Sequence, residues 1–201
     1  MTVDLDWENL GFNYSKLPFR YISYYKDGKW DEGQLTEDAT LHISEASPAL
    51  HYGQEAFEGL KAYRTKDGSI QLFRPDENAK RLQRTADRLL MPEVPVDKFV
   101  DACKQVVRAN EEYVPPYGTG ATLYLRPLLI GVGDIIGVHP ADEYIFTIFA
   151  TSKVVWLQQT SLSKMIMTVL LHMVQVLLRL VVTTQQVCCQ VRLHMTVTSL
   201  M

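Results

Sequence analysis

The sequence predicts an α+β domain over residues 1–150. Three observations predict it: two pairs of short runs split by Asp-Gly turns, two successive helices with one apolar face each, and two apolar runs of strand length. The first hairpin opens after Pro18. Phe19 to Tyr25 is rich in aromatic residues, and Lys26-Asp27-Gly28 is a turn signal leading back through Trp30. A second hairpin is expected from Leu60 to Phe73, where Lys66-Asp67-Gly68 separates Ala62-Tyr63-Arg64 from Ile70-Gln71-Leu72-Phe73.

Pro75 and Asp76 then mark a helix start, with Asp76 as the expected N-cap. Ala79, Leu82, Ala86, Leu89 and Leu90 recur at helical spacing up to Met91, and Pro92 and Pro95 end the pattern. A second helix follows from Val96 or Asp97, with Phe99, Val100, Cys103, Val106 and Val107 on one face, and stops before Pro115 and Pro116. Cys103 on that face reads as a small core residue rather than a nucleophile. Thr122 to Ile130 and Tyr144 to Ala150 are expected as buried strands joined by a loop over Gly131 to Val138.

Leu50 to Tyr63 fits neither period. It runs Leu-His-Tyr-Gly-Gln-Glu-Ala-Phe-Glu-Gly-Leu-Lys-Ala-Tyr, so two glycines bracket an aromatic residue and two carboxylates. Glycines ask for backbone angles other residues avoid, and here they do so beside reactive side chains, as binding loops do. At 201 residues, with 47% hydrophobic and 21% charged residues, the chain has the composition of a soluble globular protein with a sizeable core. A net charge of -3 provides no field to gather nucleic acid or an anionic membrane. Cys103, Cys188 and Cys189 fit neither a disulfide framework nor a zinc spacing, so no metal is expected. Asp4, Asp6 and Glu8 near the amino terminus, with no basic run, argue against a leader and for a cytoplasmic protein.

After residue 150 the composition changes. Thr151 to Met201 contains no Asp, Glu, Gly, Pro, Ala, Asn, Phe or Tyr. Turns draw on just those residues. A membrane anchor is one reading, but His172, Gln175 and Arg179 interrupt the apolar run. A long amphipathic helix is another, opposed by Val181, Val182, Thr183 and Thr184. The third is that residues 151–201 are translated out of frame and form no domain.

Leu50 to Tyr63, Leu72-Phe73-Arg74-Pro75 with Asn78 and Arg81, and Leu123-Tyr124-Leu125-Arg126-Pro127 together resemble the branched-chain amino-acid aminotransferases over roughly residues 5–150. The resemblance implies the small amino-terminal domain of the D-alanine aminotransferase-like, fold type IV architecture, with the larger domain mostly absent. It implies pyridoxal 5′-phosphate as cofactor, a homodimer, and amino-group transfer from leucine, isoleucine or valine to 2-oxoglutarate, giving glutamate. By the same resemblance Arg81 is the phosphate-binding arginine, and Tyr52, Phe57, Tyr124, Arg126 and Val138 line the substrate pocket. A D-amino-acid aminotransferase, an aminodeoxychorismate lyase or a non-catalytic dimerisation module are the alternatives.

The resemblance also accounts for the tail. Family members continue with a segment close to Ala-Ala-Lys-Val-Gly-Gly-Asn-Tyr-Ala-Ala, whose Schiff-base lysine holds the cofactor. Suitable codons for it, read one nucleotide late, give Leu177 to Gln186 as they stand, with Arg179 at the lysine's place. The same shift turns Phe-Lys-Gly-Gly-Leu into Ser152 to Trp156, so the shift begins close to Ala150, as a frameshifted gene model or sequencing error, with a short deletion or a splicing fault rather than one lost base as its form. A guanidinium stays protonated and does not replace that amine. Lys61 and Lys153 match no cofactor lysine, so the chain is expected to be inactive. Sequencing the DNA across codon 150 should reveal the family segment in another frame; its absence from all frames contradicts the frameshift.

Overall fold

The computed structural model describes Trp7 and residues 14–154. The expected out-of-frame tail beyond Val154, with Arg179, lies outside the described residues, as do Cys188 and Cys189. In chain order the elements are β1 (Arg20–Lys26), β2 (Lys29–Trp30), β3 (Gln34–Thr36), α1 (Pro48–Tyr52), β4 (Glu55–Phe57), β5 (Leu60–Arg64), β6 (Ile70–Leu72), α2 (Pro75–Arg88), α3 (Val96–Ala109), β7 (Ala121–Val132) and β8 (Glu143–Val154), with a 3-10 turn at Glu111–Tyr113. The strands form one antiparallel sheet in the order β2-β1-β8-β7-β5-β6; β3 pairs with β1, and β4 with β7. This is the α+β class the sequence predicts.

The first hairpin closes at Lys26↔Lys29 through Asp27 and Gly28, at φ 52° and 78°. Two positive φ values in a two-residue loop are the type I′ geometry that Asp-Gly favours. The second hairpin pairs Ala62↔Leu72 to Arg64↔Ile70.

Two expected helix boundaries need correction. Asp76 is not the N-cap of α2: Arg74 holds that position at φ 48°, without a side-chain cap, and Pro75 opens the helix. Proline suits the first helical residue because its missing N–H has no partner there anyway. Asp76 sits in the first turn and accepts from Lys80 Nζ at 3.1 Å. The helix also ends at Arg88 rather than Met91. Leu90 turns to φ 53° and donates to Asp87 O at 3.2 Å, while Met91 donates to Ala86 O at 2.9 Å. That is a Schellman ending with leucine where glycine usually stands, so the apolar spacing of Leu89 to Met91 outruns the helix. The two long strands exceed their expected limits as well. β8 continues past Ala150 because Thr151 to Val154 complete the ladder along Tyr124 to Ala121.

Helices α2 and α3 cover one face of the sheet. Leu82, Phe99, Val106, Leu123, Leu125, Leu129, Phe146 and Ile148 are buried there in one cluster. Cys103 belongs to this cluster as expected, and burial pushes its thiol up to about 12. The opposite face carries a smaller cluster of Ile22, Ile130, Val132 and Ile145 with Leu41, Ile43 and Leu128 against it. Strand alternation produces this division: odd-numbered residues of β7 such as Leu123 and Leu125 face the helices, and Tyr124, Arg126 and Leu128 face away. Among the described residues no helix is long and apolar enough to cross a membrane.

Phe146 packs its ring against Tyr21, Trp30 and Phe99 with centroids 6.2, 6.3 and 5.8 Å away. Phe146→Ala should cost about 3–5 kcal/mol in urea unfolding; a loss below about 1 kcal/mol contradicts this core.

Candidate functional site

The site grows from an interruption in the sheet. β4 pairs with β7 down to Phe57↔Leu128, and β5 resumes the pairing at Leu60↔Leu125. Glu58 and Gly59 lie between, opposite Pro127. In an antiparallel ladder a residue's N–H and C=O point to the same neighbour. Pro127 O accepts from Glu58 N at 2.9 Å, so the N–H that proline lacks would have faced this same gap. The partner strand is therefore free to leave the ladder here.

Glu58 leaves it inward. Its side chain is 9% exposed and takes a bidentate contact from Arg81 on α2: Nε donates to Oε1 at 2.9 Å and Nη2 to Oε2 at 2.5 Å. Asn78, one turn earlier, donates to the same Oε2 at 2.9 Å and to Gly59 O at 3.3 Å. Burial alone works to raise the Glu58 carboxyl, but hydrogen bonds from Arg81 and Asn78 and the Arg81 charge outweigh it and hold the carboxyl below its ordinary value. The same carboxylate raises Arg81.

Gly59 gives room on the other side. A Cβ there would collide with the Tyr124 phenol. Tyr124 stands one position before Leu125, facing away from the helices, and its hydroxyl accepts from Arg126 Nε at 3.1 Å. The Arg126 guanidinium lies 4.4 Å from the Phe57 ring centroid and 5.3 Å from that of Tyr124. A cation between two ring faces is held in position while its outer N–H groups stay open to an anion.

Four of the expected site residues thus gather around one gap: Phe57, Tyr124 and Arg126 directly, and Arg81 through Glu58. Tyr52 and Val138 do not join them. They line a separate open groove of about 250 Å³ with Pro48, Leu89, Leu90 and His139. Val138 is 93% exposed. Sequence reasoning left out Glu58 and did not weigh Gln54. Glu58 was legible only as a partner of Asn78 and Arg81 one turn apart. Gln54 ties the loop down: its Oε1 accepts from Ala141 N at 3.1 Å and its Nε2 donates to Leu89 O at 3.2 Å.

Arg81 fits a phosphate in chemistry and in access. Glu58 takes two of its nitrogens, the side chain remains 56% exposed, and the outer donors can reach an oxyanion. Lys61, opposite Tyr124 in the ladder, is the described lysine nearest in register to the cluster. Among the described residues no cluster of His, Cys, Asp and Glu could hold a metal ion.

Glu58→Gln should cost about 1–3 kcal/mol at pH 7, because it leaves a buried charge-assisted pair half made. A carboxyl lowered by folding contributes stability above its unfolded value, about 4.3, and loses it as pH falls through the folded value. The difference between the parent chain and the variant should therefore shrink in acid, measured by urea unfolding at stepped pH. A difference that grows below about pH 4.3 contradicts the pair.

No family model matches the chain. The chain is 68% identical over 146 residues to the branched-chain-amino-acid aminotransferase of Haemophilus influenzae, covering 73% of this chain and 43% of the relative. It is 56% identical over 146 residues to the protein of the same name from Helicobacter pylori, with the same two coverages. A solved branched-chain amino acid aminotransferase with pyridoxamine 5′-phosphate matches with a TM-score of 0.54 and 25% identity over 71% of this chain and 42% of that one. The chain spans less than half the length of these relatives, and its mixed sheet-and-helix unit has the fold of part of a fold type IV aminotransferase. Over this shared stretch the chain is similar to branched-chain-amino-acid aminotransferases.

Proposed function

We propose that residues 14–154 carry the phosphate-facing and substrate-facing part of a pyridoxal-phosphate site for amino-group transfer from leucine, isoleucine or valine to 2-oxoglutarate. The observation that carries the reading is the gap opposite Pro127, where a fixed arginine and a ring-flanked arginine stand on either side of Glu58-Gly59. The relatives' names support the substrate class.

Each residue has a task that its setting suits. Arg81, held by Glu58, offers its outer donors to the cofactor's phosphate. Arg126 binds a substrate carboxylate, steadied by the Tyr124 hydroxyl. The Phe57 and Tyr124 rings exclude water from an aliphatic side chain. Tyr52 and Val138, in their own groove, serve the partner subunit of a cytoplasmic homodimer. When bound, the cofactor supplies an electrophilic carbon and an electron sink. Nothing in the described cluster supplies the amine that would move the Cα proton, and Arg179 stands at that amine's place in the sequence, so the chain as it exists is inactive.

Incubation with pyridoxal phosphate followed by borohydride should leave no single lysine modified stoichiometrically, and leucine with 2-oxoglutarate should yield no glutamate. Restoring the reading frame should restore turnover, and Arg81→Met in the restored enzyme should weaken cofactor binding by about tenfold or more. Turnover by the present chain contradicts the inactivity; unchanged cofactor affinity in Arg81→Met contradicts the role of Arg81.

A further inference from the structure

Arg20, at the start of β1, is 6% exposed and forms no ion pair among the described residues. Its Nη2 donates to Leu17 O at 2.9 Å and to Pro18 O at 3.5 Å, and its Nε is buried with no acceptor among the described residues. Removing an ion from water is expensive unless a counter-charge or a full set of hydrogen bonds replaces the water. Two carbonyls on one nitrogen do not replace it. The remaining nitrogen, Nη1, makes no hydrogen bond to a described residue.

Arg20 forms part of the wall of a space of about 260 Å³ on the sheet face away from α2 and α3. Ile22, Leu41, Leu128 and Phe149 make its apolar walls, and Asp38 closes another side. The Asp38 carboxylate is fixed by Thr40 N at 2.9 Å and the His42 ring at 3.1 Å. Arg20 pairs with Thr36 across β1 and β3, and Asp38 follows two residues later. Arg20 and Asp38 thus come to the same cavity wall from β1 and from the segment that follows β3. Thr147, another polar wall, already donates its hydroxyl to Tyr21 O at 2.8 Å. Phe149, the ladder partner of Arg126, marks the border with the cluster described above.

We propose that this cavity binds one compact apolar α-amino acid, its carboxylate on Arg20, its ammonium toward Asp38 and its side chain against Ile22, Leu41 and Leu128. The volume lies just below the roughly 300–1,000 Å³ of sites for drug-sized ligands, which suits a ligand of amino-acid size. A dicarboxylate would set its second anion against Asp38, and inorganic phosphate would leave the apolar walls in contact with water. The inference is independent of the transaminase reading, since it uses neither Arg81 nor Arg126.

The test is titration of the cofactor-free full chain with leucine, followed by methyl-filtered NMR. Leucine should give cross-peaks to the methyls of Ile22, Leu41 and Leu128. Arg20→Met should weaken leucine and 4-methyl-2-oxopentanoate alike by about tenfold or more, since both lose the charge-assisted carboxylate contact. Asp38→Asn, an exposed change that spares the core, should weaken leucine by about threefold or more while leaving the oxo acid no weaker. Isopentylamine, which lacks the carboxylate, should not bind. No leucine binding at millimolar concentration, cross-peaks confined to Phe57 and Tyr124, or equal effects of Asp38→Asn on both ligands would overturn the proposal.

Discussion

The missing N–H of Pro127 is the constraint on which the site depends. A proline in a central strand removes one ladder donor, and the sheet answers by letting the neighbouring strand leave the ladder for two residues. Those two residues are Glu58 and Gly59. One turns its carboxylate toward α2, and the other makes room for the Tyr124 phenol. An unbroken strand would place alternate side chains on fixed faces. The gap lets one short segment address a helix behind the sheet and an arginine in front of it.

The two faces of the sheet divide the labour accordingly. The helix-covered face is closed and apolar, with Phe99, Leu125 and Phe146 fully buried. The Cys103 thiol there is raised out of reactive range by burial alone. The other face keeps charge: Arg126 pairs with Phe149, and Arg20 shares a cavity wall with that ring. Phe57 is 60% exposed there, a large ring left open on a surface whose relatives continue for more than twice the aligned length. Exposed rings beside oriented cations are what a ligand, or a further layer of protein, would cover.

Much of this was legible in the sequence, for reasons that can be named. Asp27-Gly28 specified a type I′ hairpin because few other residue pairs adopt those angles so readily. The apolar face of α3 and the buried Cys103 followed from helical spacing. Arg81, Phe57, Tyr124 and Arg126 stand out through their motifs, and the fold brings them together around one gap. The Glu58 carboxylate was not, since a glutamate next to a glycine reads equally well as solvated; only its distance to Asn78 and Arg81 reveals its use. Helix α2 was overrun because Leu89, Leu90 and Met91 continue the apolar rhythm while the backbone has already turned at Leu90. Arg20 was invisible for a related reason: an arginine at a strand start is normally exposed, and nothing local reports its burial.

The tightest statement about the site is that Glu58 and Arg81 act as one unit, positioned by the gap opposite Pro127. A double-mutant cycle of Glu58→Gln and Arg81→Met, read by urea unfolding at pH 7, measures that directly. A coupling of about 1.5–3 kcal/mol is the expected result for a buried carboxylate meeting a bidentate guanidinium. A coupling near zero would mean that each side chain is stabilised by something else, and the gap would no longer explain the site.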